Sequence, residues 1–292
     1  MDRSERMYFA MVIIPEDAID RMIAEDVPYF DLTTHLLDIG DKDGTIRYFS
    51  REDAVVCGTE EAARILNKLG VEVTAAKPSG AAVKPGEFFL EGRGKAASLH
   101  AGWKVCQNLL DSCSAISTKT KLVVDAVHAA NPRVSVVTTR KSFPGIKALC
   151  LKAILCGGAI PHRIGLSETV LIFKQHMNFM GGLDGVISAL PALKQSACEK
   201  KIIVEAESID EGIALCKAGV DGIQFDKLAP GVLKDGVPKL RAAAPNATLL
   251  AAGGINETNA AAYAATDVDA LVTTSLFSAK PIDIGVKIEA VK

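Results

Sequence analysis

The sequence predicts an α/β protein whose C-terminal part, from about residue 120, is a parallel barrel of alternating strands and helices. Three observations carry that prediction. Candidate strands end at residues 205, 226, 252 and 274, roughly one βα unit apart. Runs such as Lys201-Ile202-Ile203-Val204 and Thr248-Leu249-Leu250-Ala251-Ala252 are continuously apolar, as strands covered on both faces are. Nearly every strand also ends in a polar or glycine-rich group at its C-terminal side, where a βα barrel gathers its loops around one mouth. That last feature favours a barrel over an open sheet.

Ahead of this repeat the chain has another character. Strand-like runs, Thr45-Ile46-Arg47-Tyr48-Phe49 and Ala54-Val55-Val56-Cys57, precede a helix over Glu60 to Leu69. Further β-like pieces at Val71 to Thr74 and Phe88 to Glu91 are divided by Pro78, Gly80, Pro85 and Gly86, which gives a smaller α+β domain over 1–118. A helix over Ala96 to Ser114 leads out of it, with Leu99, Trp103, Cys106, Leu109, Leu110 and Cys113 at helical spacing. In the second domain, 119–292, strands are predicted at 134–139, 169–173, 201–205, 222–226, 248–252 and 270–274. Helices fill the gaps, among them Gly145 to Cys156, Ile209 to Lys217 and Glu257 to Ala264, and the last residues are free to return to the first domain.

Composition narrows the function classes. A net charge of -2 and a pI near 6.2 argue against a nucleic-acid partner, which would demand an excess of Lys and Arg. The apolar run 7–15 is too short to span a bilayer and lacks a small-residue cleavage site, so no membrane partner is expected. Seven scattered cysteines without a CxxC pair sit mostly in apolar helical contexts, as in Ile213-Ala214-Leu215-Cys216. They read as buried thiols in a cytoplasmic protein.

The strand ends carry the chemistry. Thr139-Arg140-Lys141, followed by His162-Arg163, gathers cations that repel one another unless an anion sits between them. Arg140 and Arg163 suit carboxylate or phosphate by their bidentate geometry, and Pro144, Gly157, Gly158, Pro161 and Gly165 pin the segments that carry them. His162 taken alone is as well read as structural. Glu205 and Asp226 are two carboxylates about one strand apart. They suit Mg²⁺ held with waters and substrate oxygens, or the stabilisation of a positive transition state; solvated strand-end acids are the plain alternative. Gly253-Gly254, ahead of the helix that Glu257 opens, offers bare amides for a phosphate, although a Gly-Gly pair also serves as a tight turn. A phosphate at one end, a divalent cation in the middle and an anion at the other fit a phosphorylated sugar and an acidic acceptor.

These residues, in order, resemble a known family. Thr139-Arg140-Lys141…Pro144-Gly145, Cys156-Gly157-Gly158…His162-Arg163-Ile164-Gly165-Leu166, Val204-Glu205-Ala206-Glu207, Asp226 and Gly253-Gly254-Ile255 are similar to nicotinate-nucleotide pyrophosphorylase (quinolinate phosphoribosyltransferase). So are Asp31-Leu32-Thr33-Thr34 and Gln107-Asn108-Leu109-Leu110, so the likeness covers almost the whole chain. It implies an incomplete αβ barrel of about six or seven parallel strands with an N-terminal α/β sandwich domain, and a homodimer that shares its active sites. It further implies phosphoribosyl transfer from phosphoribosyl pyrophosphate (PRPP) to a pyridine acid, with Mg²⁺. By position, Thr139, Arg140, His162 and Arg163 would hold the acid, and Lys141, Glu205 and Asp226 would serve PRPP and its metal. Gly253, Gly254 and Thr274 would meet the ribose phosphate, and Lys104 stands where the family has its cross-subunit arginine.

The departures are informative. Phe173, in Phe173-Lys174-Gln175-His176, stands at a position where the quinolinate enzymes have an acceptor-binding lysine; a shifted segment would bring Lys174 in instead. Such a loss removes a charged contact of about 1.5–3 kcal/mol. Ile203 and Trp103 replace glutamates, and Thr274 replaces a glycine. The same departures, with Asp26-Val27-Pro28-Tyr29, Ile160-Pro161-His162-Arg163 and Gln224-Phe225-Asp226-Lys227, resemble the ModD subgroup, pyrophosphorylase-like proteins associated with molybdenum-uptake genes. The expected function is ModD-like transfer of phosphoribosyl to an acidic nitrogen heterocycle, with quinolinate itself as the alternative acceptor. Two other readings stay open on the residues alone: a Schiff-base aldolase using Lys141 or Lys227, and a non-catalytic ligand-binding relative.

Overall fold

The computed structural model describes residues 12–291. The charged start of the chain and most of the apolar run 7–15 lie outside the described residues.

The chain forms two compact units. One comprises the chain up to Lys121 with Phe143–Gly158 and everything from Phe277 onward; the other comprises Leu122–Ser142 and Ala159–Leu276. In chain order the first unit opens with α1 (Glu16–Asp26), α2 (Leu32–Leu36), β1 (Asp43–Ser50), β2 (Ala54–Val55) and α3 (Thr59–Lys68). It continues through β3 (Glu72–Ala76), β4 (Ala82–Val83), β5 (Phe88–Lys95) and α4 (Ala96–Ala130), whose residues from Leu122 onward belong to the second unit, and takes back α5 (Lys147–Cys156) after the second unit's β6 (Ser135–Thr138). The second unit holds β7 (Ile160–Pro161), β8 (Val170–Ile172), α6 (Lys174–Met177), α7 (Leu183–Ser196), β9 (Ile202–Ala206), α8 (Ile209–Ala218) and β10 (Gly222–Asp226). It ends with α9 (Pro230–Ala243), β11 (Thr248–Ala252), α10 (Ala260–Ala264) and β12 (Ala270–Thr273), after which β13 (Ile284–Ala290) returns to the first unit.

In the first unit β1 alternates buried and outward residues, with Ile46 and Tyr48 fully buried, as a strand covered on one face does. It pairs antiparallel with β13 on one side and β5 on the other, in a four-stranded sheet of order β13-β1-β5-β3. The amphipathic α3 turns Ala62, Ile65 and Leu66 inward. From α5, Lys152 is 4% exposed, and its ammonium donates to Glu60 at 2.8 Å and to both oxygens of buried Glu61 at 2.8 and 2.6 Å. A buried cation with two carboxylates is the one arrangement in which that charge is tolerated inside.

The second unit is built on seven parallel strands in the order β7-β6-β12-β11-β10-β9-β8, an open half-barrel. Val137, Leu171, Ile203, Leu250, Ala252, Ala270 and Val272 pack together on its inner face, with Phe173 against them. Because side chains alternate along a strand, two steps towards the C-terminal end place Thr139 beyond Val137, Phe173 beyond Leu171, Glu205 beyond Ile203 and Thr274 beyond Val272. The apolar floor therefore ends in a polar rim.

The six predicted strands lie within about a residue or two of their expected places, and the half-barrel with its separate antiparallel sheet agrees with the expected class. Three details differ. A seventh strand, β7, contains Pro161 and sits at the sheet edge, where a missing N–H breaks no ladder. The helix expected over Ala96 to Ser114 runs on to Ala130. The helix expected from Glu257 begins only at Ala260, because Asn256 accepts bonds from the Thr258 amide and hydroxyl and folds the intervening residues into a turn. Among the described residues no helix is long and apolar enough to cross a membrane.

Candidate active site

Glu205 and Asp226 come from neighbouring strands. The β9–β10 register sets Glu205 beside Gln224, and Asp226 lies two residues further along β10, on the same face. Gln224 Nε2 donates to Glu205 Oε2 at 3.2 Å. Burial pushes the Glu205 carboxyl up, the charge of Asp226 pushes the same way, and the bond from Gln224 opposes both. Asp226 in turn has the Lys227 ammonium 3.5 Å from Oδ2. Lys227 holds a left-handed backbone, φ 59°, uncommon for a residue with a side chain. Its amide donates to Ala252 O at 2.8 Å, so the turn after β10 is anchored to β11.

The glycine pair follows β11. Gly253 and Gly254 have φ of 86° and 73°. A Cβ on Gly253 would lie 2.5 Å from Lys227 Cγ and 2.6 Å from Asp226 Oδ1, whereas one on Gly254 would meet nothing within 4 Å. The loop thus packs its first glycine against the carboxylate and opens its second outward. Asn256 and Asn259 both donate to Gly254 O, at 3.3 and 3.0 Å, and Thr273 donates to Ile255 O at 2.6 Å. The cradle is a side-chain-braced turn, which corrects the expected helix N-terminus: α10 starts six residues beyond Gly254 and is five residues long. On the other side of the rim Thr139 and Thr274 share a hydrogen bond of 2.8 Å between their hydroxyls.

The cations face this rim from β6 and β7. Arg140 and Lys141 are exposed and Arg163 is half-buried; none of the three forms a salt bridge among the described residues. Burial and the charge of Arg140 lower the Arg163 pKa, partly offset by Glu168, so the two guanidiniums feel each other. His162 is bonded through its amide to Thr138 O at 3.0 Å, while its Nε2 is buried without a partner. Burial, then the Arg163 charge, holds its ring below the ordinary histidine value. Lys174, the first residue of α6, reaches Glu207 at 3.0 Å. Lys104 belongs to the first unit, on α4, where its ammonium lies 2.9 Å from Gln107 Oε1 and 4.8 Å from the Trp103 ring centroid.

Several residues of the rim escape a reading by motif. Gln224 tunes Glu205, and its only sequence signal is its place two residues before Asp226 on an inner face. Asn256 and Asn259 brace the glycines, and their types alone mark a turn. Among the described residues no cluster of three or more His, Cys, Asp or Glu side chains is placed to hold a metal, so a cation here would rest on the Glu205–Asp226 pair and substrate oxygens.

An open α/β barrel with carboxylates, a braced glycine turn and unpaired cations at its C-terminal strand ends is an enzyme scaffold for anionic, phosphorylated substrates. Residues 31–114 match the quinolinate phosphoribosyl transferase N-terminal domain, and residues 116–287 match the C-terminal domain. The pyrophosphorylase-type protein ModD of Rhodobacter capsulatus is 40% identical over 253 residues, covering 86% of this chain and 96% of that protein. The nicotinate-nucleotide pyrophosphorylase (carboxylating) of Mycobacterium leprae is 31% identical over 275 residues, covering 92% and 95%. Among solved structures, the nicotinate-nucleotide pyrophosphorylase of Ehrlichia chaffeensis superposes with a TM-score of 0.85 at 26% identity, covering 96% of this chain and 100% of that one. The chain belongs to the quinolinate phosphoribosyltransferase family. It is a phosphoribosyltransferase, and so a pentosyltransferase.

Proposed function

We propose that this enzyme transfers phosphoribosyl from PRPP to a ring nitrogen of an acidic heterocycle and releases pyrophosphate, as a member of the ModD branch with a role beside molybdenum uptake. The observation that supports the reading most is the face shared by Glu205, Gln224 and Asp226, opposite cations that lack anionic partners. Quinolinate is the second reading, supported by the 31% identity to the mycobacterial nicotinate-nucleotide pyrophosphorylase.

In this reading Arg140, His162 and Arg163 orient the acid so that its nitrogen faces the sugar. Thr139, bonded to Thr274, fixes the floor beneath it. Lys141 draws charge from the departing pyrophosphate, and Glu205 and Asp226 stabilise positive charge as it builds on the sugar. Gly253, Gly254 and Thr274 take the ribose phosphate through open amides and a hydroxyl. Mg²⁺ fits the site: burial and the charge of Asp226 raise the cost of ionising Glu205, which a cation relieves, and Glu205 with Asp226 would hold it. Bound there it would offset charge on the leaving phosphates. Lys104 reaches a second subunit's site in a cytoplasmic homodimer.

Pyrophosphate release from PRPP and Mg²⁺, with nicotinate, quinolinate and other acidic heterocycles offered singly, tests the proposal. Release that depends on one acid supports it and names the acceptor. No release with any of them, together with no PRPP binding by calorimetry, sinks it.

A further inference from the structure

The rim presents an aromatic face where another charge could have stood. Phe173 follows β8 on the inner side and is half-buried against the cluster of Leu171 and Ile203. Its ring lies 5.9 Å from that of His176 with 22° between the planes, and the Arg163 guanidinium sits 5.8 Å from its centroid. His176 Nδ1 accepts from the Phe173 amide at 3.0 Å, which fixes the turn into α6. One residue on, Lys174 is held by Glu207 at 3.0 Å, so its charge is already matched.

The charges left for a ligand are few. The charge of Arg140 is felt at Arg163, and together the two guanidiniums suit one carboxylate. His162 offers an unpartnered Nε2 and, with its ring kept neutral, a hydrogen bond without a charge. Lys141 is assigned above to pyrophosphate. A second carboxylate turned toward Phe173 would lose water and find there only Arg163, which the first carboxylate already engages.

Resting on the transferase reading, we propose that the acceptor is a planar aromatic heterocycle bearing a single carboxylate, its uncharged edge turned to Phe173. Phe173 is then the specificity-determining residue, acting against a second acid group as much as for the ring.

Direct binding separates this inference from the transferase reading, because it needs no PRPP. Calorimetry of the full protein with nicotinate (one carboxylate) and quinolinate (two) should show the monoacid bound at least about tenfold more tightly. Phe173→Lys should narrow or reverse that ratio, and Phe173→Leu, which stays apolar, should keep its sense while weakening both. Equal or tighter binding of the diacid to the wild type, or no binding of either, overturns the inference. Selective monoacid binding with neither pyrophosphate release nor PRPP binding would leave the pocket's preference standing and sink the transferase reading instead.

Discussion

Gln224 Nε2 donates to Glu205 Oε2 at 3.2 Å across the β9–β10 ladder, and this bond, with the charge of Lys227, favours ionised Glu205 against burial and the charges of Asp226 and Glu207. Ionised Glu205 is thus disfavoured where it stands. Such a cost is expected where charge is kept ready for a positive partner.

A thermal and a kinetic measurement follow from it. Burial and Asp226 raise the Glu205 pKa, so the folded state binds that proton more tightly than the unfolded chain. Its contribution to stability is therefore full below the unfolded value and is lost as pH rises through the folded one. Glu205→Gln should melt higher than wild type at neutral pH yet lose about two orders of magnitude in turnover. Gln224→Leu removes the opposing bond and should shift the acid limb of kcat/KM to higher pH. A Glu205→Gln protein with unchanged turnover would take Glu205 out of the chemistry.

The two glycines should behave differently although both are left-handed. Alanine at either position costs about 1–2 kcal/mol of backbone strain. Only Gly253→Ala also drives a methyl into Lys227 Cγ and Asp226 Oδ1. It should raise KM for PRPP and lower kcat together, while Gly254→Ala, whose methyl meets no protein atom, should raise KM for PRPP and leave kcat near the wild-type value. Equal kinetic losses for the two would mean that the displacement of Asp226 is not what matters.

How much of this was legible beforehand follows the same physics. β8, β9, β11 and β12 carry unbroken apolar runs, and the polar ends of the strands announce the rim, because periodicity and burial are properties of neighbouring residues. β7 could not be read: two residues, one of them Pro161, make no pattern, and its pairing with Val137 and Thr138 is tertiary. The β13 pairing with β1 joins residues such as Ile46 and Ile288, which no local signal links. Arg140, His162, Glu205 and Asp226 stood out by type and place. The bonding of Lys174 to Glu207 and the bracing of Gly254 by two asparagines depend on side-chain directions that a sequence does not carry.

Lys152 supplies a stability prediction remote from the chemistry. Removing it leaves Glu61, 3% exposed, as an uncompensated buried charge, so Lys152→Met should cost about 3–5 kcal/mol by denaturant titration. The Glu60 carboxyl is lowered to about 2: burial pushes it up, but bonds from Lys152 and Ser79 outweigh burial. A depressed carboxyl stabilises above its unfolded value of 4.5 and loses that contribution as pH falls toward the folded one. Wild type should weaken over that acid range, and Lys152→Met should show a shallower decline. A variant as stable as wild type would mean that the Lys152–Glu61 pair adds nothing net to stability.

The assembly proposal is tested by complementation. Lys104 is exposed on α4 and, among the described residues, its ammonium contacts Gln107 and Trp103 of its own helix, which leaves it available to another molecule. If it completes the site of a second subunit, Lys104→Ala and Arg140→Ala should each abolish most turnover when assembled alone, since every site then lacks one group. In a mixed dimer the two lesions meet in one site and leave the other intact. Co-expression of the two variants should therefore restore pyrophosphate release that neither shows by itself. A mixed preparation, verified as containing both chains in one particle, that stays inactive would place Lys104 and Arg140 in the same subunit's site or remove Lys104 from it.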